Sequence, residues 1–199
     1  PFQETNTSYY HKSIGGYHAA KLRRYQELVD HRLVGELGSI MQTFQKAKTA
    51  DDVIKCLMVC PSLNMLNMRY IIYSPDQAPV RNPFAYGNAW FVEKVEMADN
   101  ADAEMAAMNK YNPLMVAVVD KRFAKELEGF TPQPDSTATI TMTSYKPHEV
   151  AYKAKGSTEQ LAVFSEIYYQ PGWKAFVDGK ETPHFRADWT LRAMRVPAG

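Results

Sequence analysis

Residues 89–119 decide the fold class, because strand and helix patterns alternate there within one short stretch. The run Ala89-Trp-Phe-Val-Glu-Lys-Val95 has the β-branched and aromatic composition of a strand. Residues 100–110 predict a helix, and Val116-Ala-Val-Val119 predicts a second strand that is buried on both faces. Strand, helix and strand in this order indicate a small α/β layer.

The first 68 residues predict mainly helices. Apolar residues recur at helical spacing over residues 22–33 and again over residues 37–44, and Gly35 and Gly38 predict a break between the two stripes. A third, short helix is predicted from the possible cap Thr49 to a stop at Pro61.

The pattern changes to a period of two after residues 131–136, a stretch with two prolines that predicts a linker. Several short strands then follow at the spacing of an antiparallel sandwich. We therefore predict an α+β chain, with a helical and α/β region at residues 1–130 and an antiparallel β-sandwich region at residues 137–199.

The last residues, Val196-Pro-Ala-Gly199, resemble the beginning of a turn after an apolar strand. We expect that the sandwich lacks its last strand and that the last visible strand borders an unpaired or irregularly covered edge. The chain begins with Pro1 and not with Met, so we expect it to be a segment of a longer protein.

The composition favours a folded domain without a charge-driven partner. The chain has 199 residues, of which 45% are hydrophobic and 23% charged, and its formal net charge is +1. This balance argues against disorder and gives no general attraction to nucleic acid. No apolar run approaches the roughly 20 residues that span a bilayer.

A glycine-containing loop near the N-terminus is the first candidate site. His11 and His18 flank Gly15 and Gly16, and glycines there would let the backbone approach a bound group. The alternative is a loop that leads into a helix and needs the glycines for its turn. No phosphate-loop, dinucleotide, zinc-protease or serine-hydrolase motif is present, so we predict no catalytic residue and no cofactor.

The C-terminal aromatic residues are the second candidate site. Aromatic faces stack on sugar rings, and polar neighbours can bind hydroxyl groups, so Trp173, Trp189, Tyr169 and Arg186 are predicted to bind glycan. The alternative is that these aromatic residues fill the core of a small sandwich.

Two further groups are interpreted as structural or peripheral. Cys56 and Cys60 lack two further ligands at short spacing, so we predict small buried hydrophobes and no metal. Lys21, Arg23 and Arg24 form a basic patch that is either a solvated helix face or a surface near lipid headgroups.

Seven strings that are spread from residue 8 to residue 199 carry a family resemblance, although none of them is a catalytic motif. They are Ser8-Tyr-Tyr-His-Lys-Ser-Ile-Gly-Gly-Tyr-His-Ala-Ala-Lys-Leu-Arg-Arg-Tyr-Gln-Glu-Leu-Val29, Leu63-Asn-Met-Leu-Asn-Met-Arg-Tyr70, Gly87-Asn-Ala-Trp-Phe-Val92, Val119-Asp-Lys-Arg-Phe123, Phe164-Ser-Glu-Ile-Tyr-Tyr-Gln-Pro-Gly-Trp-Lys-Ala-Phe-Val-Asp-Gly-Lys180, Arg186-Ala-Asp-Trp-Thr-Leu-Arg192 and Pro197-Ala-Gly199. In these strings the chain resembles the bacterial membrane protein YfhO family, in the large versions found in Bacteroides-like bacteria.

The resemblance implies a polytopic inner-membrane protein that is similar to glycosyltransferases of the GT-C type, which use a lipid-linked sugar donor. This chain would be its soluble domain on the extracytoplasmic, periplasmic side of the cell envelope. The implied partners are the transmembrane helices of the same protein and a glycan or lipid-linked sugar, with no nucleic acid. The catalytic groups of such enzymes lie among membrane helices, so the resemblance implies an accessory, non-catalytic role here.

Two alternatives stay open. A purely structural or assembly domain without a ligand would have buried tryptophans and an exposed apolar surface where partners dock. A free-standing hydrolase would place His11 and His18 in one cleft beside a carboxylate.

Overall fold

The computed structural model describes residues 2–17, 19–74 and 76–199. The chain forms two compact units, Pro1–Ala85 and Tyr86–Gly199. Each unit has its own secondary structure.

The first unit is mainly helical, as predicted. A π-helical turn at Val29–Leu33 joins the second and third helices. The elements are α1 (Asn6–Tyr10), α2 (Arg23–Leu28), α3 (Val34–Lys46), α4 (Ala50–Met58), α5 (Pro61–Met65) and the short antiparallel pair β1 (Tyr70–Ile71) and β2 (Val80–Arg81).

The predicted break at Gly35 and Gly38 is wrong, because α3 runs through both glycines. A glycine inside a helix costs about 1 kcal/mol relative to alanine. Leu33 and Ile40 flank the glycines and are buried in the core, and this burial outweighs that cost. The irregularity lies one turn earlier, in the π-helical turn.

Two polar contacts fix the ends of the short helices. The predicted cap at Thr49 is confirmed, since Thr49 and Asp52 form a capping box at the start of α4. At the start of α5 the Glu36 carboxylate accepts hydrogen bonds from the backbone N–H groups of Ser62 and Leu63, at 3.0 and 2.9 Å. Glu36 lies on α3, so this contact ties α3 to the N-terminus of α5.

The second unit contains the larger sheets. Its helix is α6 (Ala101–Lys110), and a 3-10 segment covers Lys121–Leu127. Its strands are β3 (Ala89–Val92), β4 (Lys94–Ala98), β5 (Val116–Asp120), β6 (Thr139–Lys146), β7 (Glu149–Lys155), β8 (Gln160–Ile167), β9 (Ala175–Val177), β10 (Lys180–Thr182), β11 (Phe185–Ala187) and β12 (Leu191–Val196).

The predicted α/β layer is present. Strands β4 and β5 are parallel and α6 connects them, and the Asn100 side chain caps α6 by accepting from the Ala103 N–H at 2.9 Å. The strand expected at residues 89–95 is divided at Glu93. The N–H groups of Glu93 and Lys94 both point to the Met115 carbonyl, so the chain leaves one sheet there and enters the other.

A four-stranded antiparallel sheet with the order β11-β12-β8-β3 forms the other layer. Its buried residues Ala162, Phe164 and Met194 pack against Ile140 and Tyr152 of the β6–β7 hairpin. The α+β class with a sandwich-like antiparallel arrangement is therefore confirmed.

The strand pairing can be compared with the predicted boundary between the two regions and with the predicted unpaired edge at the last strand. Strand β3 pairs with β8, so pairing crosses the boundary expected at residues 130–137, and the compact units divide after Ala85. Strand β12 lies between β8 and β11. Within the described residues β11 pairs only with Leu191–Ala193, so Met194–Val196 have a strand partner on the β8 side alone.

We predict that Glu36→Gln lowers the free energy of unfolding by about 1–3 kcal/mol, because an amide replaces a charged acceptor of two N–H groups. Urea denaturation followed by circular dichroism measures the change. Glu27→Gln is the control, since Glu27 pairs on the helix surface with Arg23 and its loss costs less than about 0.5 kcal/mol. Equal losses in the two variants would contradict this account of Glu36.

Candidate functional site

A buried charged cluster connects α6, β5 and β11 in the second unit. Arg186 Nη2 lies 3.3 Å from Glu104 Oε2 and 3.4 Å from Asp120 Oδ2. Glu104 is completely buried and Arg186 is 6% exposed. Two carboxylates thus compensate one guanidinium in a region of low dielectric constant, which is the arrangement that buried charges require.

The turn between β11 and β12 docks on this cluster. Asp188 and Trp189 both have positive φ angles, of 47° and 69°. Asp188 exchanges hydrogen bonds with Val118, since its backbone N–H donates to the Val118 carbonyl and its Oδ1 accepts from the Val118 N–H, both at 2.8 Å. The Trp189 N–H donates to Glu104 Oε1 at 3.2 Å. The turn is therefore held by β5 and α6 together.

Burial favours the protonated form of Asp188. Burial raises the pKa of its carboxyl group to about 8, and the negative charge of Glu104 acts in the same direction. The hydrogen bond from Val118 opposes this shift.

Within the described residues, no group of His, Cys, Asp and Glu side chains is arranged to hold a metal ion.

Two of the predicted glycan-binding residues lie in this buried region. Trp189 is 5% exposed and Arg186 is 6% exposed, so neither offers a surface to solvent. For Trp189 the placement matches the packing alternative raised by the sequence.

The other two predicted residues lie at the surface. Tyr169 is 50% exposed and Trp173 is half-buried. Trp173 follows a turn in which Gly172 has a φ of 79°, a conformation that glycine adopts without strain. The guanidinium carbon of Arg192 lies 4.4 Å from the centre of the Trp173 ring, so one face of the indole is occupied by a cation.

Arg192 connects Trp173 to His184, a histidine outside the residues predicted to bind a ligand. Its Nη1 lies 3.1 Å from His184 Nε2, and its Nη2 donates to the Ile167 carbonyl at 3.1 Å. The His184 ring also makes an edge contact with Tyr168. Burial and the positive charge of Arg192 lower the pKa of His184, so the imidazole is neutral and accepts the hydrogen bond. We call Trp173, Arg192 and His184 the Trp173 cluster.

Two buried donor atoms near the Trp173 cluster have no hydrogen-bond partner among the described residues. They are Arg192 Nε and the Tyr152 hydroxyl oxygen. Phe164 lies beside both residues, because it is the register partner of Arg192 and its ring contacts the Tyr152 ring at 4.9 Å. Burial is the largest cause that raises the pKa of Tyr152.

The N-terminal loop shows why glycine is needed there. Gly16 has a φ of 123°, and a Cβ atom added to it would lie 3.1 Å from Ser8 Oγ. This geometry accounts for Gly16 as a turn residue, which is the alternative given above. Gly15 donates its N–H to Ser13 Oγ at 3.0 Å and His11 is exposed. His18 lies outside the described residues.

The cysteines and the basic patch make local contacts. Cys60 is buried and its thiol donates to the Cys56 carbonyl at 3.3 Å. Burial raises the pKa of the Cys60 thiol to about 12, which keeps it protonated and unreactive. In the basic patch, Lys21 donates to the Phe2 carbonyl and Arg23 pairs with Glu27, both at 2.9 Å.

Two clefts open on the second unit, and neither is lined by a residue of the Trp173 cluster. One has a volume of about 420 Å³ and the other of about 660 Å³. The larger one has charged walls that include the ion pair of Arg195 with Glu159.

Comparison with known proteins identifies no relative. No family model, curated protein or solved structure matches this chain. Among the helices of residues 2–17, 19–74 and 76–199, none is long and apolar enough to cross a membrane.

We predict that Asp188 lowers the free energy of unfolding of the wild-type protein as the pH rises from about 4 to about 8. The ordinary pKa of this group is 3.8 and the folded-state value is about 8, so folding favours its protonated form and deprotonation opposes folding. Asp188→Asn removes this dependence while its side-chain oxygen still accepts from Val118. Urea denaturation across this pH range measures the effect.

Asp178→Asn is the matched control, since Asp178 lies in an exposed turn with a similar φ of 48°. Its pH profile is expected to follow the wild-type profile. An Asp188→Asn profile as steep as that of the wild type would contradict the assignment of a neutral, buried carboxyl group.

Proposed function

We propose that this chain is a non-catalytic, extracytoplasmic domain of a polytopic bacterial inner-membrane protein of the YfhO family. The parent protein would transfer sugar from a lipid-linked donor, and this domain would hold glycan or lipid-linked sugar on the periplasmic side. The support is the resemblance of seven long strings spread from residue 8 to residue 199.

The placement of Trp173 is the observation that carries the binding part of the proposal. Among the predicted aromatic residues, Trp173 combines a partly exposed indole with a polar neighbour that fixes its orientation. A ring held in this way loses little conformational entropy when a ligand packs against it. The C–H groups of a sugar ring pack on an aromatic face, and Tyr169 offers a second exposed ring nearby in the sequence.

A second candidate function is supported by the distribution of exposed apolar side chains. Among the described residues, 11 of the 16 large exposed hydrophobic residues belong to the first unit, and they include Tyr9, Tyr10, Met58 and Val59. Trp90 and Trp189 are buried. Exposed apolar surface of this kind is typical of a domain that docks on a partner, so an assembly role without a glycan ligand is the alternative.

We predict that glycans shift the tryptophan fluorescence or the indole NMR signal of Trp173, with dissociation constants in the millimolar range. Trp173→Ala abolishes the response because the stacking surface is removed. Tyr145→Ala is the control, since Tyr145 is an exposed aromatic residue that lies on the β6–β7 hairpin. A wild-type protein that gives no response to any sugar would overturn the binding proposal and leave the assembly role.

We predict that the native full-length protein fractionates with the inner membrane. An antibody against this chain should detect an antigen that is digested when protease is added to spheroplasts, because the domain faces the periplasm. Recovery in the cytosolic fraction, or protection from protease until the membrane is lysed, would contradict the proposed location.

A further inference from the structure

We propose that the Trp173 cluster binds an acidic ligand, a sugar bearing a carboxylate or a phosphate, and that Arg192 pairs with that anionic group. This inference rests on the proposed glycan-binding function and names the class of glycan. It is independent of which sugar the parent protein transfers.

Arg192 is a buried cation that has no carboxylate at ion-pair distance in the described part of the chain. Arg192 is 8% exposed, and among the ion pairs of the described residues none joins its guanidinium to a carboxylate within 4.0 Å. A guanidinium keeps its charge under all physiological conditions. An uncompensated charge in this environment is costly, and a bound anion would remove the cost.

The hydrogen-bond partners of Arg192 do not supply the missing charge. They are the neutral ring of His184 and the Ile167 carbonyl. Two of the five N–H groups of the guanidinium are satisfied in this way, and Nε has no partner in the described part of the chain. Because Nε is buried, the donors that remain for an anionic group are the second N–H groups of Nη1 and Nη2.

The carboxylate that acts on Arg192 is that of Glu166, and no ion pair within 4.0 Å joins the two among the described residues. Glu166 and the hydroxyls of Tyr152 and Tyr168 interact with Arg192 electrostatically from a distance, and His184 contacts it directly. The Tyr152 hydroxyl is a second buried donor without a partner. An anionic group balances the charge of the guanidinium, whereas a neutral hydroxyl group of a sugar does not.

The position of Trp173 explains how one ligand uses both features. The indole lies against the guanidinium at 4.4 Å, so an acidic group bound at the edge of the guanidinium lies beside the ring. The remainder of the sugar then contacts the indole. Tyr169, which lies near Trp173 in the sequence, has an exposed side chain.

Arg195 offers a matched comparison on the same strand. Arg195 makes a bidentate ion pair with Glu159, with both distances at 2.9 Å, and stacks on Phe130 at 4.9 Å. It therefore resembles Arg192 in its aromatic contact and differs in having its counter-ion within the chain. An arginine with a purely structural role is expected to have its counter-ion within the protein, as Arg195 does.

The experiment measures the binding of glucuronate, glucose 1-phosphate, glucose and inorganic phosphate by NMR titration of the wild type, Arg192→Met, Arg192→Lys, Trp173→Ala and Arg195→Met. We expect at least one acidic sugar to bind the wild type about tenfold more tightly than glucose. Arg192→Met loses this preference, Arg192→Lys keeps part of it, and Arg195→Met retains it. Glucuronate and glucose 1-phosphate distinguish a carboxylate from a phosphate, and inorganic phosphate shows whether the anion suffices alone.

Thermal unfolding of the same variants separates a binding role from a structural one. Removal of an uncompensated charge leaves the melting temperature of Arg192→Met equal to or above that of the wild type, while Arg195→Met melts at a lower temperature. A lowered melting temperature of Arg192→Met together with an unchanged preference for acidic sugars would overturn the proposal.

The remaining outcomes separate this inference from the proposed function. Glucose that binds as tightly as the acidic sugars, in a manner that depends on Trp173, would overturn the acidic-ligand inference and support glycan binding. The absence of binding for all four compounds would overturn both.

Discussion

The architecture of the second unit depends on the compensation of one buried guanidinium. Arg186 is held between Glu104 on α6 and Asp120 at the end of β5, and the Trp189 N–H uses the remaining oxygen of Glu104. These contacts join the α/β layer to the four-stranded sheet. Since the partners are buried, loss of any one would leave charge without compensation, which is among the most destabilising changes a core can suffer.

The same strand pair carries a second buried arginine whose environment is different. Arg186 and Arg192 are register partners on β11 and β12, but only Arg186 has carboxylates at ion-pair distance in the described chain. A fold tolerates such an uncompensated group where it serves binding, because selection for function can oppose selection for stability. This contrast is the physical basis for assigning a structural role to Arg186 and a ligand role to Arg192.

The sequence predicted elements that local patterns encode and missed contacts made over long separations. The α/β layer followed from the alternation at residues 89–119, and the cap at Thr49 followed from side-chain chemistry. The division of the first strand at Glu93 depends on the distant Met115 carbonyl. Glu104 could have been found, because it lies four residues before the buried Met108 and so on the same helical face.

The placement of Trp189 and Arg192 had no comparable local signal, since positive φ angles at Asp188 and Trp189 interrupt the strand alternation.

A crystal structure of this chain soaked with an acidic sugar tests the central claim most directly. The account predicts a carboxylate or phosphate oxygen about 3 Å from the Arg192 guanidinium, with the sugar ring against Trp173. A ligand bound elsewhere, with Arg192 paired to a protein carboxylate, would contradict it.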